Sequence, residues 1–402
     1  MNVKHVLMIA AVLLAFFVCP VMGDNVAVSE DFPAKYTLVV PPGGVTLNDA
    51  EAEAEVSVTP TFLGTEKYAE ILVYVDSANN WHLRLGETSD YDLKYGVTVI
   101  GGTEQLENGD KVLSADKENE KTEVTLKFKR TDEPTKAGTY TDVLTFTAAP
   151  VNANTQTVTS AEELTALWNG EGTDVSILLT KDVTIDENER LPIPSGKEVT
   201  LNLNGHTLSS INSETETHNF FIDVKGGTLT VQDGTISYEH TGDNMAWNGA
   251  ATVIDVTAGG VLNMEGVTVK NNGGTDMNFA VHLNNWGEVT LNADNCVFDA
   301  PYCGVRVFNS GPDMNNVKIT NSELTGNTRA FWVQNYFSSD MGGKLYSGAS
   351  VDYDESKVLN RLNLDIYDNN NEFSITGTAT SPIRYGFNDD VFFDASGNVV
   401  TP

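Results

Sequence analysis

The chain has 402 residues, a formal net charge of −32 and only three cysteines. Such a field repels nucleic acid and anionic surfaces, and the scarcity of cysteine excludes a disulfide-built scaffold. The length allows two or three domains whose cores come from apolar burial.

Residues 1–23 read as a secretory signal peptide. Lys4 and His5 precede an apolar run, Val6 to Val18, that is too short to span a bilayer. Val21 and Gly23 supply small side chains for cleavage after Gly23. Cys19 raises a lipoprotein alternative, but Phe16-Phe17-Val18 is too bulky for that signal and Pro20 follows. No later stretch is apolar enough to span a membrane, so the expected location is extracellular, free or associated with a cell surface.

Residues 24–150 carry short alternating runs between turn signals. These are Tyr36 to Val40, Glu55 to Thr59, Ile71 to Val75, Trp81 to Leu85, Val97 to Ile100, Val124 to Phe128 and Tyr140 to Thr147. Their β-branched and aromatic residues suit half-buried strands, and seven strands suit a sandwich. Gly138-Thr139-Tyr140 ahead of the last run resembles a tyrosine corner. With Val143 to Thr147 it resembles the closing strand of immunoglobulin-like sandwich modules in surface proteins of Gram-positive bacteria. The resemblance implies a spacer or presentation module.

Residues 151–159 form a polar linker. Ser160-Ala161-Glu162-Glu163 fits a capping box for a helix over 160–168, expected to plug the open end of the β region that follows.

From Val175 the sequence is quasi-periodic. The runs beginning at Phe221, Val253, Ala280, Gly304 and Ala330 lie 32, 27, 24 and 26 residues apart. A second apolar run follows each of the first four: Leu229/Val231, Leu262/Met264, Val289/Leu291 and Val317/Ile319. A third strand is marked by a polar or glycine residue three before an apolar one: Asp233, Gly266, Asn295 and Asn321. Three strands per repeat make the rung of a parallel coil, and no rung buries its apolar face alone. Gly226, Ala258, Asn285, Asn309 and Asn335 form a further column at a turn, where stacked amides and left-handed backbone are expected. With Leu201 to His206 as an opening rung, residues 155–398 resemble the pectate-lyase-like right-handed parallel β-helix superfamily. The fold class is thus all-β: a sandwich over 24–150, then a coil over 160–402 with its capping helix. Tyr336 to Asn360 reads as an inserted loop, Asn363 to Tyr367 and Phe373 to Ile375 as resumed strands, and Pro382 to Tyr385 as one more first strand.

Alternation places Asp223, Asp255, His282, Arg306 and Trp332 on the outside of the first sheet, with Arg384 a rung further. Asp223, Asp255, His282 and Arg306 are the catalytic candidates, because paired carboxylates and an imidazole can move protons. Asp255, His282, Arg306, Trp332 and Arg384 are the ligand-binding candidates, the guanidinium for a carboxylate and the indole for a sugar ring. The superfamily resemblance implies a polysaccharide-active face. The Asn-Thr-Asp, Asp-Asp, Gly-His-Gly and Arg-Ile-Lys set of polygalacturonases is absent, and Gly205-His206-Thr207 is its nearest echo. Calcium is the one ion that suits Asp352, Asp354 and Glu355, or Asp365, Asp368, Asn369 and Glu372, although neither stretch forms an EF-hand loop; no other cofactor is implied. His82, His218 and His240 are too scattered for zinc, and no nucleotide loop or nucleophile elbow is present. Cys296 and Cys303 are expected to be buried and inward-facing. The expected function is binding of an extracellular glycan or surface protein. The alternatives are a polysaccharide lyase or glycoside hydrolase acting through the column, and a structural surface protein without a ligand.

Overall fold

A computed structural model describes residues 34–40, 45, 47, 51–63, 68–85, 92–135, 139–214, 218–242, 250–274, 278–309, 313–335, 362–366, 369–376, 383–385, 391–393 and 399–400. Residues 1–23, read as a signal peptide, Gly138, and the segment Tyr336 to Asn360, read as an inserted loop, lie outside the described residues. Among the described residues no helix is long and apolar enough to cross a membrane.

The N-terminal part is two antiparallel sheets. The larger runs in the order Lys35–Val39, Glu51–Phe62, Thr122–Arg130, Asp92–Val99, His82–Leu85, Tyr140–Thr141; the smaller runs Asp110–Ala115, Glu70–Ser77, Leu144–Val151. Inward residues of both sheets, such as Val56, Val73, Val97, Val112 and Leu126, fill one core. Two features depart from the expected seven runs. Asp110–Ala115 is an additional strand, and the last run is split at Asp142. The Asp142 carboxylate accepts hydrogen bonds from Ser77 Oγ and Tyr95 Oη, each at 2.6 Å, and from Asn79 N at 3.1 Å. These bonds pin the chain where it passes from one sheet to the other.

The helix Ala161–Trp168 begins as expected. Ser160 Oγ accepts from Glu163 N, and the Glu163 carboxylate accepts from Thr159 N and Oγ1 at 2.8 and 2.9 Å. Leu164 and Trp168 are fully buried in the coil's core, and Trp168 Nε1 donates to Pro192 O at 3.1 Å. Buried Lys197 donates from Nζ to the carbonyls of Trp168 and Gly170. A cation thereby satisfies carbonyls that the helix end leaves open.

The coil is parallel throughout its body. Its first sheet stacks Leu191–Pro194, His218–Lys225, Ala250–Thr257, Asn278–Asn284, Cys303–Asn309, Arg329–Asn335 and Ile383–Tyr385; two antiparallel strands, Val391–Phe393 and Val399–Val400, close its end. The second strands stack from Gln156–Val158 to Leu362–Asp365, and the third from Val183–Thr184 to Glu372–Ile375. Between second and third strands a left-handed residue recurs at one position: Asn204, Asp233, Gly266, Asn295, Asn321 and Asn370, with φ of 51–65°. Asparagine and aspartate tolerate this backbone because their short side chains bond locally. Asn370 Nδ2 donates to Asn321 Oδ1, and Asn321 Nδ2 to Asp294 Oδ1. Side-chain amide bonds thus run along this turn, the one carrying the third-strand marker residues; at the expected column Asn285 donates instead to Asp313 O.

The coil's first strand falls near residue 155, where the superfamily resemblance begins, and inside the segment read as a linker. Gln156–Val158 already pairs in parallel with Asp174–Leu179, and Leu144–Val151 belongs to the sandwich, so only residues 152–155 join them. Leu72, Tyr74, Ala149 and Val151 pack on Leu178 of the coil. Gly109, at φ +81°, lies so close to the coil that a Cβ there would sit 1.8 Å from Thr180 O. Gly109→Ala is therefore expected to open this seam, read as faster limited proteolysis at residues 152–155 with the coil's own thermal transition unmoved. An unchanged cleavage rate would contradict the close packing.

Candidate functional site

Register brings the candidate column together. Asp223 pairs with Asp255, Asp255 with His282, His282 with Arg306, Arg306 with Trp332, and Trp332 with Arg384. The backbone of Arg384 belongs to the ladder; its side chain lies outside the described part.

The expected exposure is not found. Asp255, His282, Arg306 and Trp332 retain only 4, 8, 7 and 5 % of their accessible surface, and Asp223 is half-buried. The reason lies in a break of alternation that the sequence displays as consecutive small or apolar residues. Phe221-Ile222, Val253-Ile254, Ala280-Val281 and Ala330-Phe331 all enter the interior core as pairs. The pairing ladder omits Phe221, Val253, Ala280, Gly304 and Ala330. Beyond each doublet the phase is shifted, and Phe279 and Cys303 join the column's side of the sheet, in one cluster with Trp332 and Tyr302. This corrects the inward assignment of Cys303. Its thiol is fully buried, but in the outer aromatic cluster; Cys296 alone lies in the interior core. Both thiols are free. Burial pushes the Cys296 thiol up to about 11 and Cys303 further in the same direction.

Two sets of contacts hold the row together. The Asp255 carboxylate accepts from His282 Nδ1 at 2.5 Å, which fixes the proton on that nitrogen. The Arg306 guanidinium carbon lies 4.6 Å from the Phe308 ring centroid, 5.0 Å from Phe279 and 5.4 Å from Trp332. A planar, weakly hydrated cation among three ring faces is attracted by their quadrupoles. Burial pushes its pKa down to about 10, against which the Asp255 charge acts upward; the group stays charged at neutral pH. His282 in turn stacks 6.1 Å from Phe279, and Tyr302 packs edge-on to Phe279 at 5.9 Å. At the open end of the row, burial and then the Asp255 charge hold the Asp223 carboxyl above its ordinary range. The aromatic companions were not read as part of the site. Phe308, two after Arg306, shares its side by simple alternation; Phe279, three before His282, does so only once the doublet shifts the phase.

The metal candidates are not brought together in the described part. Asp365 Oδ1 accepts from Asn369 Nδ2 at 2.8 Å, and Glu372 stands in register with Glu323. Asp352, Asp354, Glu355 and Asp368 lie outside the described residues. Among the described residues no cluster of three His, Cys, Asp or Glu could hold an ion. His206, of the Gly-His-Thr echo, is remote from the column and faces Asp182 at 3.7 Å.

Fold and site together define an antiparallel sandwich joined to a parallel β-solenoid with a largely buried polar row on its first sheet. No family model matches the chain, and neither the curated proteins nor the solved structures contain a match to it.

Two outcomes follow from these contacts. Asp223 has a raised folded pKa, so its ionised form is disfavoured by folding: the cost is absent below the ordinary carboxylate value and complete above the raised one. Asp223→Asn should thus be more stable than the wild type at pH 7 and no more stable at pH 3, in thermal unfolding at both pH values. Arg306→Ala leaves a void between three rings and removes the charge balancing Asp255. A loss of about 2–5 kcal/mol is expected in denaturant titration, the range for truncating a large buried side chain to alanine.

Proposed function

We propose that this is an extracellular, secreted or surface-associated binding protein without catalytic activity, in which the coil offers its exposed polar faces to glycan or protein ligands. The observation that carries the reading is the closure of the charged row. An imidazole held by Asp255 and a guanidinium held among rings leave that row as internal structure, not as an open cleft. The exposed faces have the character of a recognition surface. Thr230, Asn263 and Asn292 form one outward amide and hydroxyl ladder, with Asn292 Nδ2 donating to Asn263 Oδ1 at 2.9 Å. Thr184, Ser209, Ser237, Lys270, Asp299, Thr325 and Ser374 form another. Regularly spaced donors and acceptors, about 4.8 Å apart, suit a polymer of hydroxylated units. Kinship with pectate-lyase-like coils and with immunoglobulin-like sandwich modules belongs to this reading. It is supported by three strands per rung and by the left-handed residue, mostly asparagine or aspartate, that recurs from Asn204 to Asn370.

A second reading, polysaccharide lyase or glycoside hydrolase, is favoured by one contact: Asp255 on His282 Nδ1, the arrangement that orients a general base. One experiment separates the two. The protein is incubated with neutral and acidic polysaccharides while both retention on the polymer and release of reducing or unsaturated ends are followed. Retention without new ends is expected. New ends that vanish in Asp255→Asn, with retention preserved, would establish the enzyme instead.

A further inference from the structure

The corner between first and second strands lengthens along the coil. From the first-sheet register position to the matching second-sheet position takes 5 steps at Ile193–Glu198, 4 at Val224–Thr228, 5 at Val256–Val261, 7 at Leu283–Thr290 and 9 at Val307–Asn316. Sheet register is kept, so the extra residues must leave the coil wall. At the first lengthened corner the extruded residue is Trp286, with 56 % of its surface exposed. The other tryptophans among the described residues, Trp81, Trp168 and Trp332, expose 5 % or less.

This indole sits on a ledge clamped from both neighbouring rungs. Below, Gly287 at φ +92° lies against the preceding corner, where a Cβ would come within 2.4 Å of Gly259 N. Above, Asp313 Oδ2 accepts from Gly287 N at 2.9 Å, and Asp313 O accepts from Asn285 Nδ2 at 2.7 Å. Asn316 Nδ2 donates to Glu288 Oε1 at 2.8 Å two residues from the ring. A scattered exposed apolar residue needs no explanation; a tryptophan on backbone held in place, beside an amide–carboxylate pair, is preorganised for contact.

We infer that the Trp286 ledge binds a neutral sugar: the indole takes the C–H face of a pyranose ring, while Asn316, Glu288 and Asp313 take its hydroxyls. The inference rests on the glycan form of the proposed function. The chemistry selects against acidic sugars, because the polar groups flanking the ring are an amide and two carboxylates and the whole chain carries −32. The cation that would have met a carboxylate, Arg306, is enclosed.

The test is affinity electrophoresis of the full chain through gels containing xylan, mannan, mixed-linkage β-glucan or polygalacturonate. Wild type, Trp286→Ala, Trp286→Phe and Asn316→Ala are run in parallel, with thermal unfolding of each. The wild type should be retarded by at least one neutral polymer. Trp286→Ala should lose at least ten-fold in affinity at unchanged melting temperature, while Trp286→Phe, which keeps a ring face, should lose less. Wild-type retention on a neutral polymer that persists undiminished in Trp286→Ala would overturn the ledge and leave the proposed function standing. Retardation by polygalacturonate alone would overturn the neutral-sugar assignment. No retardation by any polymer would overturn the glycan reading and the ledge with it.

Discussion

Everything in the coil depends on one constraint: each rung must hydrogen-bond in parallel register with the next while turning three times around a single core. A rung alone exposes its apolar side, so stability arises only between rungs. The turn between second and third strands meets this demand with one left-handed residue per rung, from Asn204 to Asn370. Where that residue keeps the strands continuous, as at Asp233 and Gly266, second and third strands merge into the single elements Thr228–His240 and Val261–Asn271. Core composition follows from the same geometry. Inward positions are branched or aromatic and stack on their counterparts, as in the row Ile222, Ile254, Val281, Val305, Phe331 and Ile383.

The ends of the coil face the complementary difficulty, since the first and last rungs lack a neighbour. At the start, the helix Ala161–Trp168 inserts Leu164 and Trp168 into the core, and Lys197 closes the helix's carbonyl end from within. The sandwich contributes as well, packing Leu72, Tyr74, Ala149 and Val151 on Leu178. At the other end the chain reverses into the antiparallel pair of Val391–Phe393 and Val399–Val400. At that end the open parallel edge of the first sheet is replaced by antiparallel strands, which no further parallel strand can extend.

The sequence disclosed the coil because its signals are local and repeated: a polar or glycine marker three before an apolar residue, and apolar runs at near-constant spacing. The capping helix was legible for the same reason, since Ser160 and Glu163 carry it within four residues. The candidate column was legible in register and illegible in exposure. Register follows from counting along matched runs. Exposure depends on the doublets Phe221-Ile222, Val253-Ile254 and Ala280-Val281, which alternation alone reads as one inward and one outward residue. The strand Asp110–Ala115 was missed because Asp110, Lys111 and Ser114 dilute its apolar content, although Val112, Leu113 and Ala115 are buried. The join between sandwich and coil was read as a linker because its residues are polar, yet Thr155 Oγ1 lies 2.9 Å from Ser176 Oγ and ties it to the coil.

The enclosed row on the first sheet also bears on how the chain avoids mistakes while it winds. Rungs that resemble one another invite a strand to dock one storey too high or too low, since the apolar positions would still match. Beyond Asp223 the outward column changes residue type at every storey: aspartate, histidine, arginine, tryptophan. Docking Cys303–Asn309 directly on Ala250–Thr257 would leave His282 without its rung and set the Arg306 cation away from the Phe279 ring. A one-residue slip would turn Asp255, His282 and Arg306 toward the apolar interior, where an unpaired charge is costly. From Asp255 on, the row thus labels each storey, and fidelity of assembly is written in side chains that the finished protein hides from solvent.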